Sequence, residues 1–204
     1  MSAPETLAGL DVSRETLERL TIYHDLLRKW NAKINLVSRA SLEGAWARHF
    51  ADSLQLLDLA PPRADRRSWV DLGAGAGFPG LVVAIARPDV RVLLVESDAR
   101  KVAFLRAVAT ATGVSPIIHE ARIEALPGLD ADVLSARALA PLAKLLAYAE
   151  KHRAPTGICL FPKGGTVHKE IADAERQWRF EYRVQPSRTD PEAAIVEIGA
   201  LARA

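Results

Sequence analysis

The residues best suited to bind a small molecule lie in one glycine-rich segment. Gly73, Gly75 and Gly77 stand at alternate positions, directly after one short apolar run and directly before another. A turn from a strand into a helix that brings the backbone close to a ligand favours residues without a Cβ atom. This spacing predicts a ligand-binding loop over residues 71–80.

The loop leaves two ligand classes open. Residues 75–80 fit the pattern G-x-G-x-x-G, which is typical of pyrophosphate binding at a helix N-terminus. Pro79 removes one N–H donor from that turn. Asp71 would repel a pyrophosphate, whereas it suits the sulfonium and ammonium groups of S-adenosylmethionine. The glycines alone do not distinguish a dinucleotide from S-adenosylmethionine, but Asp71 and Pro79 favour S-adenosylmethionine.

An acid follows at the end of the next apolar run. Glu96 is placed to accept hydrogen bonds from a ribose diol, which both NAD and S-adenosylmethionine carry. Ser97 and Asp98 adjoin it, and we expect them near the adenine or ribose. The competing interpretation is that Glu96 caps the following helix.

The surrounding pattern predicts the elements that position these residues. Helical spacing covers residues 16–30 and again 41–57, and a proline-rich linker follows at 61–67. From Ser68 onward, apolar strand patterns alternate with helical ones, which predicts a doubly wound α/β sheet. Two trailing strand patterns predict a final antiparallel hairpin. We divide the chain into a helical extension, 1–66, and a main domain, 67–204, in one compact unit.

Composition excludes several classes of protein. The chain has 204 residues, a formal net charge of +2 and one cysteine, Cys159, so it contains neither a disulfide framework nor a cysteine-based zinc cluster. Its five histidines lack metal-ligand spacing, and we expect no metal. It also lacks a long apolar run and the features of a signal peptide, so we expect a cytoplasmic protein without membrane contact.

The segment Asp71–Gly80, which ends in Phe-Pro-Gly, resembles the loop of the bacterial 16S ribosomal RNA guanine-N7 methyltransferases, the glucose-inhibited division protein B family. Ala74 departs from the serine that is commoner there. Over about residues 15–200, further matches keep the family's motif order: Trp30-Asn31, Asn35-Leu36, His49 to Leu54, Glu96-Ser97, Lys101, Phe104-Leu105, Arg122 to Glu124, Ser135, Arg137-Ala138 and Lys163-Gly164.

The resemblance implies a Rossmann-like, seven-stranded class I methyltransferase sheet with an N-terminal helical extension. It implies that S-adenosylmethionine donates a methyl group to N7 of a guanine in the 530 loop of 16S ribosomal RNA, free or in the small subunit. Nothing demands more than a monomer. The implied cofactor contacts are Gly73, Phe78, Glu96, Ser97, Asp98, Ile123, Glu124 and Arg137.

Guanine N7 carries a lone pair and no hydrogen, so methyl transfer needs no general base, and positioning should dominate. Cys159 lies in an apolar run, which favours core packing over nucleophilic catalysis. We expect Arg137 at the junction of cofactor and base as the catalytic residue, holding the methionine carboxylate or guanine O6. The competing interpretation is a surface salt bridge.

Further residues suit RNA contact. Lys163, beside two glycines, fits an RNA phosphate or a solvated loop, and Arg122 and Arg48 are weaker candidates. His49 and Asp52 lie three apart, and we expect them to pair and to dock the helical extension.

Three other functions stay open. A methyltransferase of small molecules or proteins would share the fold and the loop. An NAD-dependent oxidoreductase would need a proton donor near the loop, and the sequence offers no convincing one. A non-catalytic RNA-binding module would have little need for Gly73, Glu96 and Arg137 together.

Overall fold

The computed structural model describes Leu7, residues 12–60 and residues 68–204. The predicted linker at 61–67, and with it the boundary between extension and main domain, lies outside the described residues. The chain first forms α1 (Arg14–Asn31). Ser13 caps this helix, because its hydroxyl accepts a hydrogen bond from the Thr16 N–H at 3.1 Å.

The second predicted helix is divided in the structure. Helix α2 (Arg39–Glu43) ends at Gly44, a wide π-helical turn covers Trp46–Ala51, and α3 (Asp52–Leu59) continues from it. A π-helical turn holds more residues than an α-helical one and is often found at functional sites. The turn buries His49 and Phe50 against the main domain.

The seven strands form one sheet in the order β3-β2-β1-β4-β5-β7-β6. Strands β1 to β5 run parallel, while β7 is antiparallel to both β5 and β6, as the predicted hairpin requires. The strand order reverses between β1 and β4, which is where open α/β sheets bind ligands. The strands are β1 (Ser68–Leu72), β2 (Arg91–Glu96), β3 (Ile117–Glu120), β4 (Ala131–Ser135), β5 (Arg153–Lys163), β6 (Trp178–Pro186) and β7 (Ala194–Arg203).

Four helices cover the sheet: α4 (Gly80–Ala86), α5 (Ala99–Thr112), α6 (Leu142–His152) and α7 (Val167–Ala174). The helical pattern of the sequence predicts a helix over Ala99–Thr112, and α5 has these bounds, since Asp98 caps its start and Gly113 ends it in the left-handed region. The pattern also predicts a helix over 167–178, but α7 is shorter, because the chain turns after Ala174 and Trp178 begins β6.

The apolar core has two parts, one on each face of the sheet. Helices α6 and α7 cover one face. Helices α4 and α5 cover the other, and α1 and α3 pack on the outside of this layer. The N-terminal helices therefore share the core of the main domain. Within the described ranges, no helix is both long and apolar enough to cross a bilayer.

Candidate active site

The glycine loop joins β1 to α4 at the carboxyl edge of the sheet. Gly73, Gly75 and Gly77 have φ values of +64°, +55° and +92°, which explains the requirement for glycine. The loop borders a cleft of about 1020 Å³. This volume lies at the upper end of the range for sites that bind small molecules and cofactors. The lining residues come from segments 36–41, 48–52, 73–78, 137–141, 162–164 and 187–195, together with Lys101 and Glu170.

The cleft brings together some of the predicted residues but not all of them. Residues from both the cofactor and the RNA predictions line it, namely Gly73, Gly75, Phe78, Arg137, Arg48 and Lys163. The other predicted residues are not part of its lining: Asp71, Gly77, Glu96, Ser97, Asp98, Arg122, Ile123 and Glu124.

Asp71 is completely buried behind the loop. One carboxylate oxygen accepts the Gly80 N–H at 2.9 Å, and the other accepts the Ser135 hydroxyl at 2.7 Å. Burial raises the pKa of this carboxyl group to about 6. Asp71 therefore fixes the exit of the loop and the end of β4, and its predicted role beside the cofactor becomes one of shaping the loop.

Glu96 links the end of β2 to the glycine loop. Its carboxylate accepts the N–H groups of Gly75 at 2.9 Å, Ser97 at 2.7 Å and Asp98 at 2.8 Å. The competing interpretation, in which Glu96 caps the next helix, is wrong, because the Asp98 carboxylate accepts the Arg100 N–H at 2.9 Å and is the cap. The same carboxylate pairs with the Arg100 side chain, which holds the pKa of Asp98 well below its usual range.

The segment after β3 lies next to Glu96, since the Ala121 N–H donates to the Glu96 carbonyl oxygen at 3.1 Å. Ile123 is buried there. The Glu124 carboxylate instead accepts the Tyr148 hydroxyl of α6 at 2.5 Å. The segment therefore meets the end of β2 through its backbone, while one oxygen of the Glu124 carboxylate is held toward α6.

Arg137 projects from the end of β4 into the cleft. Its guanidinium donates to the Arg48 carbonyl oxygen at 2.9 Å, lies 3.4 Å from an Asp52 carboxylate oxygen and sits over the Phe78 ring, 5.1 Å from the centroid. The side chain is 18% exposed, so its pair with Asp52 is a partly buried salt bridge rather than one on the open surface. Ala138 follows with φ +52°, a strained value for a residue with a Cβ, and such strain is typical of functional sites.

His49 and Asp52 do not pair with each other. The His49 ring stacks on Phe78 with centroids 4.8 Å apart, and neither of its nitrogens hydrogen-bonds within the described residues. Burial and then the charge of Arg137 lower the pKa of His49 to about 3. The prediction assumed one regular α-helix, whereas His49 lies in the π-helical turn and Asp52 begins α3, where its carboxylate meets Arg137 and Thr189 instead.

Lys163 lines the cleft, but its charge is already paired. The ammonium group donates to the Ala140 carbonyl oxygen and to the Glu170 carboxylate, each at 2.8 Å, and the side chain is 9% exposed. A phosphate contact by Lys163 would have to replace this pair. Arg48 and Arg122 are exposed, as an RNA contact requires.

Two further parts of the chain contribute to the site without any sequence pattern that predicts them. Tyr23 of α1 donates its hydroxyl hydrogen to the Ala76 carbonyl oxygen inside the glycine loop. The loop between β6 and β7 brings Ser187 and Thr189 to the cleft. Both contacts join residues far apart along the chain, so no local pattern could have revealed them.

The sequence of the chain is similar to those of known proteins over almost all of its length. The family model for rRNA small subunit methyltransferase G, GidB, matches residues 16–193. The ribosomal RNA small subunit methyltransferase G of Ruegeria sp. (strain TM1040) is 50% identical over 198 residues, 95% of each chain. The protein of that name from Rhodospirillum centenum is 50% identical over 201 residues, covering 98% of this chain and 91% of its own. The chain belongs to the GidB family.

A solved structure supports the fold independently. The structure of M. jannaschii TYW2 in complex with AdoMet superposes with a TM-score of 0.54 at 15% identity, covering 85% of this chain and 80% of that one. Membership in the GidB family confirms the Rossmann-like methyltransferase fold, the enzyme class and the S-adenosylmethionine cofactor. The small-molecule or protein methyltransferase is not favoured.

The loop geometry fits this cofactor better than a dinucleotide. A pyrophosphate needs free N–H groups at the start of the following helix. Here Pro79 has no N–H, and the Gly80 N–H is taken by the Asp71 carboxylate. At Gly75 the space that a Cβ would occupy is open, the nearest atom being the Gly73 carbonyl oxygen at 3.7 Å. Residues 79 and 80 therefore offer no N–H donor to a pyrophosphate, and the open space at Gly75 lets a ligand approach the loop backbone.

Proposed function

We propose that this chain transfers a methyl group from S-adenosylmethionine to N7 of a guanine in the 530 loop of 16S ribosomal RNA. The single observation that carries the proposal is the 50% identity to small-subunit ribosomal RNA methyltransferases over 95% of the chain. The cleft supports it, because one opening holds both the glycine loop and Arg137.

The predicted residues divide between two parts of the cofactor. We assign the methionine part to Gly73, Gly75 and Arg137, and the ribose and adenine to the region of Glu96, Ser97, Asp98, Ile123 and Glu124. Glu96 already accepts three N–H groups, one of them from Gly75. A ribose diol would therefore share an acceptor that also holds the glycine loop, so that ribose binding and loop shape are coupled. Asp71 shapes the loop from behind, while Gly77 and Phe78 belong to the loop itself and Phe78 faces the cleft.

The residues at the site suit a reaction without proton removal. When bound, S-adenosylmethionine supplies a methyl group activated by its positive sulfur. Guanine N7 presents a lone pair in the plane of the ring, so the protein's task is to hold the two reactants in line. The Arg137 guanidinium is placed to hydrogen-bond an oxygen of either reactant, while N7 itself must stay free.

Two other groups of the chain are unsuited to acid–base or covalent catalysis. The pKa of His49 is about 3, so its ring is neutral at physiological pH and too weak to act as a general base. Burial raises the pKa of the Cys159 thiol to about 12, and the side chain is completely buried. Neither group competes with direct attack by N7.

The RNA partner is recognised by the surface around the cleft. We assign phosphate contacts to Arg48 and Arg122, which are exposed, and to Lys163 after exchange of its Glu170 partner. Lys101, which lines the cleft, adds a further cation. The substrate is 16S ribosomal RNA or the small subunit. We propose that one copy of the chain acts alone, in the cytoplasm where small subunits are assembled, with 1–66 and 67–204 as one unit.

Transfer of a labelled methyl group tests the proposal directly. The protein is incubated with labelled S-adenosylmethionine and small subunits that lack the modification, and the label is mapped by nuclease digestion and mass spectrometry. The expected product is a single 7-methylguanine in the 530 loop. Label on protein, on free nucleotides or on another atom of the RNA would overturn the proposal.

A calorimetric titration tests the cofactor without the RNA. We expect S-adenosylhomocysteine to bind and NADH not to bind. Binding of NADH alone would contradict the assignment.

A further inference from the structure

We propose that Asp52 is a positioning residue of the methyltransferase. Its two carboxylate oxygens hold Arg137 and the loop between β6 and β7 in a fixed arrangement across the cleft. The inference rests on the function proposed above, since it concerns how Arg137 is held for that reaction.

The first oxygen faces Arg137. The Asp52 Oδ2 atom lies 3.4 Å from Nη1 of the guanidinium, and the two side chains are only 15% and 18% exposed. The same Nη1 donates to the Arg48 carbonyl oxygen at 2.9 Å, and the guanidinium carbon sits 5.1 Å from the centre of the Phe78 ring. Because Asp52 and Arg137 are close together and mostly buried, their charges interact more strongly than those of an exposed pair. Asp52 thus supplies the only full negative charge among these three contacts of Arg137.

The second oxygen faces the loop. The Asp52 Oδ1 atom accepts the Gln55 amide N–H at 2.8 Å and the Thr189 hydroxyl at 3.0 Å. Gln55 continues the connection, because its amide donates to the Ser187 hydroxyl at 3.2 Å and its carbonyl oxygen accepts the Arg188 N–H at 2.9 Å. The loop is therefore fixed to α3 through both of these side chains.

One carboxylate thus connects three parts of the chain that all reach the cleft. Asp52, Arg137 and Thr189 each line it. A guanidinium that must meet a developing charge gains most when its direction is set before the substrate arrives. The charge and the two-sided hydrogen bonding of Asp52 set that direction, although Asp52 itself acts only through Arg137.

The variant Asp52→Asn separates the two sides of the carboxylate. The amide oxygen still accepts from Gln55 and Thr189, while the amide N–H₂ replaces Oδ2 and opposes the guanidinium. We expect kcat for methylation of small subunits to fall by about tenfold. The KM for subunits should stay within about twofold, because a loss confined to kcat marks an interaction needed in the transition state.

Arg137→Gln provides the readout that a merely structural role would not change. We expect this variant to lose about a hundredfold in kcat. If Asp52 acts through Arg137, adding Asp52→Asn to Arg137→Gln should cause no further loss. A double variant that loses activity by the product of the two single factors would overturn the proposal.

Asp58→Asn is the matched control on the same helix. Asp58 also pairs with the loop, through the Arg188 guanidinium at 2.6 Å, but both side chains are more than half exposed. Such a pair contributes little, so we expect kcat within about twofold of the wild type. Equal losses from Asp58→Asn and Asp52→Asn would mean that loop attachment alone matters, and would overturn the role of Asp52 toward Arg137.

A second variant, Asp52→Glu, keeps the test decisive if Asp52→Asn does not fold, as judged by circular dichroism. Asp52→Glu keeps the charge but moves it by one methylene, and we expect a lowered kcat with a melting temperature near that of the wild type. Wild-type kcat in Asp52→Glu or in Asp52→Asn would overturn the inference. Wild-type protein that fails to label RNA would instead overturn the proposed function, so the two failures are distinguishable.

Discussion

The hydroxyl group of Tyr23 in α1 donates a hydrogen bond to the carbonyl oxygen of Ala76 in the glycine loop, 53 residues away. The Tyr23 ring also stacks on Phe78, with centroids 5.1 Å apart, and meets Phe50 edge-on at the same distance. Burial raises the pKa of Tyr23 well above its usual value, so the hydroxyl keeps its hydrogen and remains a donor. Helix α1 of the helical extension therefore packs directly against the back of the glycine loop.

Tyr23→Phe removes this hydrogen bond and keeps the ring. We expect the free energy of unfolding to fall by about 1 to 3 kcal/mol, because the Ala76 carbonyl is left buried without its partner. Affinity for S-adenosylhomocysteine should fall as well. Urea unfolding and calorimetry measure the two effects. Tyr182→Phe, at an exposed position, is the control, and equal results for both variants would contradict the role of Tyr23.

Gly75→Ala tests whether the loop backbone must stay bare. Gly113→Ala is the matched control, because Gly113 has φ +67° against +55° for Gly75 and open space around it, but ends α5 away from the cleft. We expect each variant to lose about 1 to 2 kcal/mol of stability from the left-handed backbone. Only Gly75→Ala should weaken S-adenosylhomocysteine binding, by about tenfold or about 1.4 kcal/mol. If Gly75→Ala and Gly113→Ala bound S-adenosylhomocysteine with equal affinity, the assignment of Gly75 to the cofactor site would be contradicted.

Gly75 is a better probe than Gly73. A Cβ at Gly73 would lie 2.6 Å from a methyl carbon of Leu139, so a substitution there disturbs packing before it meets any ligand.

Cys159→Ala should leave methylation unchanged. The thiol is completely buried in β5 and its pKa is raised to about 12, so it has no part in direct attack by N7. Removing the sulfur from the core should cost about 1 to 2 kcal/mol of stability, which thermal unfolding measures. A stable variant without activity would point to a covalent route and against the proposed chemistry.

His49 should make the protein less stable in acid. Its pKa is about 3 in the folded protein against 6.5 for a free histidine, so between these values the unfolded chain binds the extra proton. Its contribution to stability is therefore present above pH 6.5 and is lost as the pH falls toward 3, by at most about 1.4 kcal/mol per unit. His49→Phe keeps a ring against Phe78, and its unfolding free energy should fall less between pH 6.5 and 4.5. If the unfolding free energies of the wild type and of His49→Phe fell equally as the pH is lowered, His49 would not be the cause of the loss of stability in acid.

Local signals were enough to predict most elements. Asp98 and Gly113 bound α5 because a cap and a left-handed residue act within one turn of the helix. The glycine loop was found for the same reason, since its φ values depend on residues next to each other. The π-helical turn at Trp46–Ala51 left no comparable mark, and so the partners of His49 and Asp52 were predicted wrongly.

The partners of buried charged side chains could not be predicted from the sequence. Asp71 was correctly placed at the end of a strand, but the atoms around it come from Gly80 and Ser135. Lys163 looked available for RNA until the fold brought Glu170 to its ammonium group. In each case the deciding partner is set by packing between elements rather than by spacing along the chain.

The position of β7 determines when this enzyme can become active. Strand β7 lies between β5 and β6 although it is the last strand in the chain, and Thr189 just before it meets Asp52 across 137 residues. Proteins are made from the N-terminus, and contacts over such separations form late. A growing chain that stops before residue 194 lacks the strand that joins β5 to β6, and it lacks Val196 and Ile198 from the core that also holds β1 and β4. The sheet, and with it the glycine loop, should therefore reach its final form only after β7 has been made.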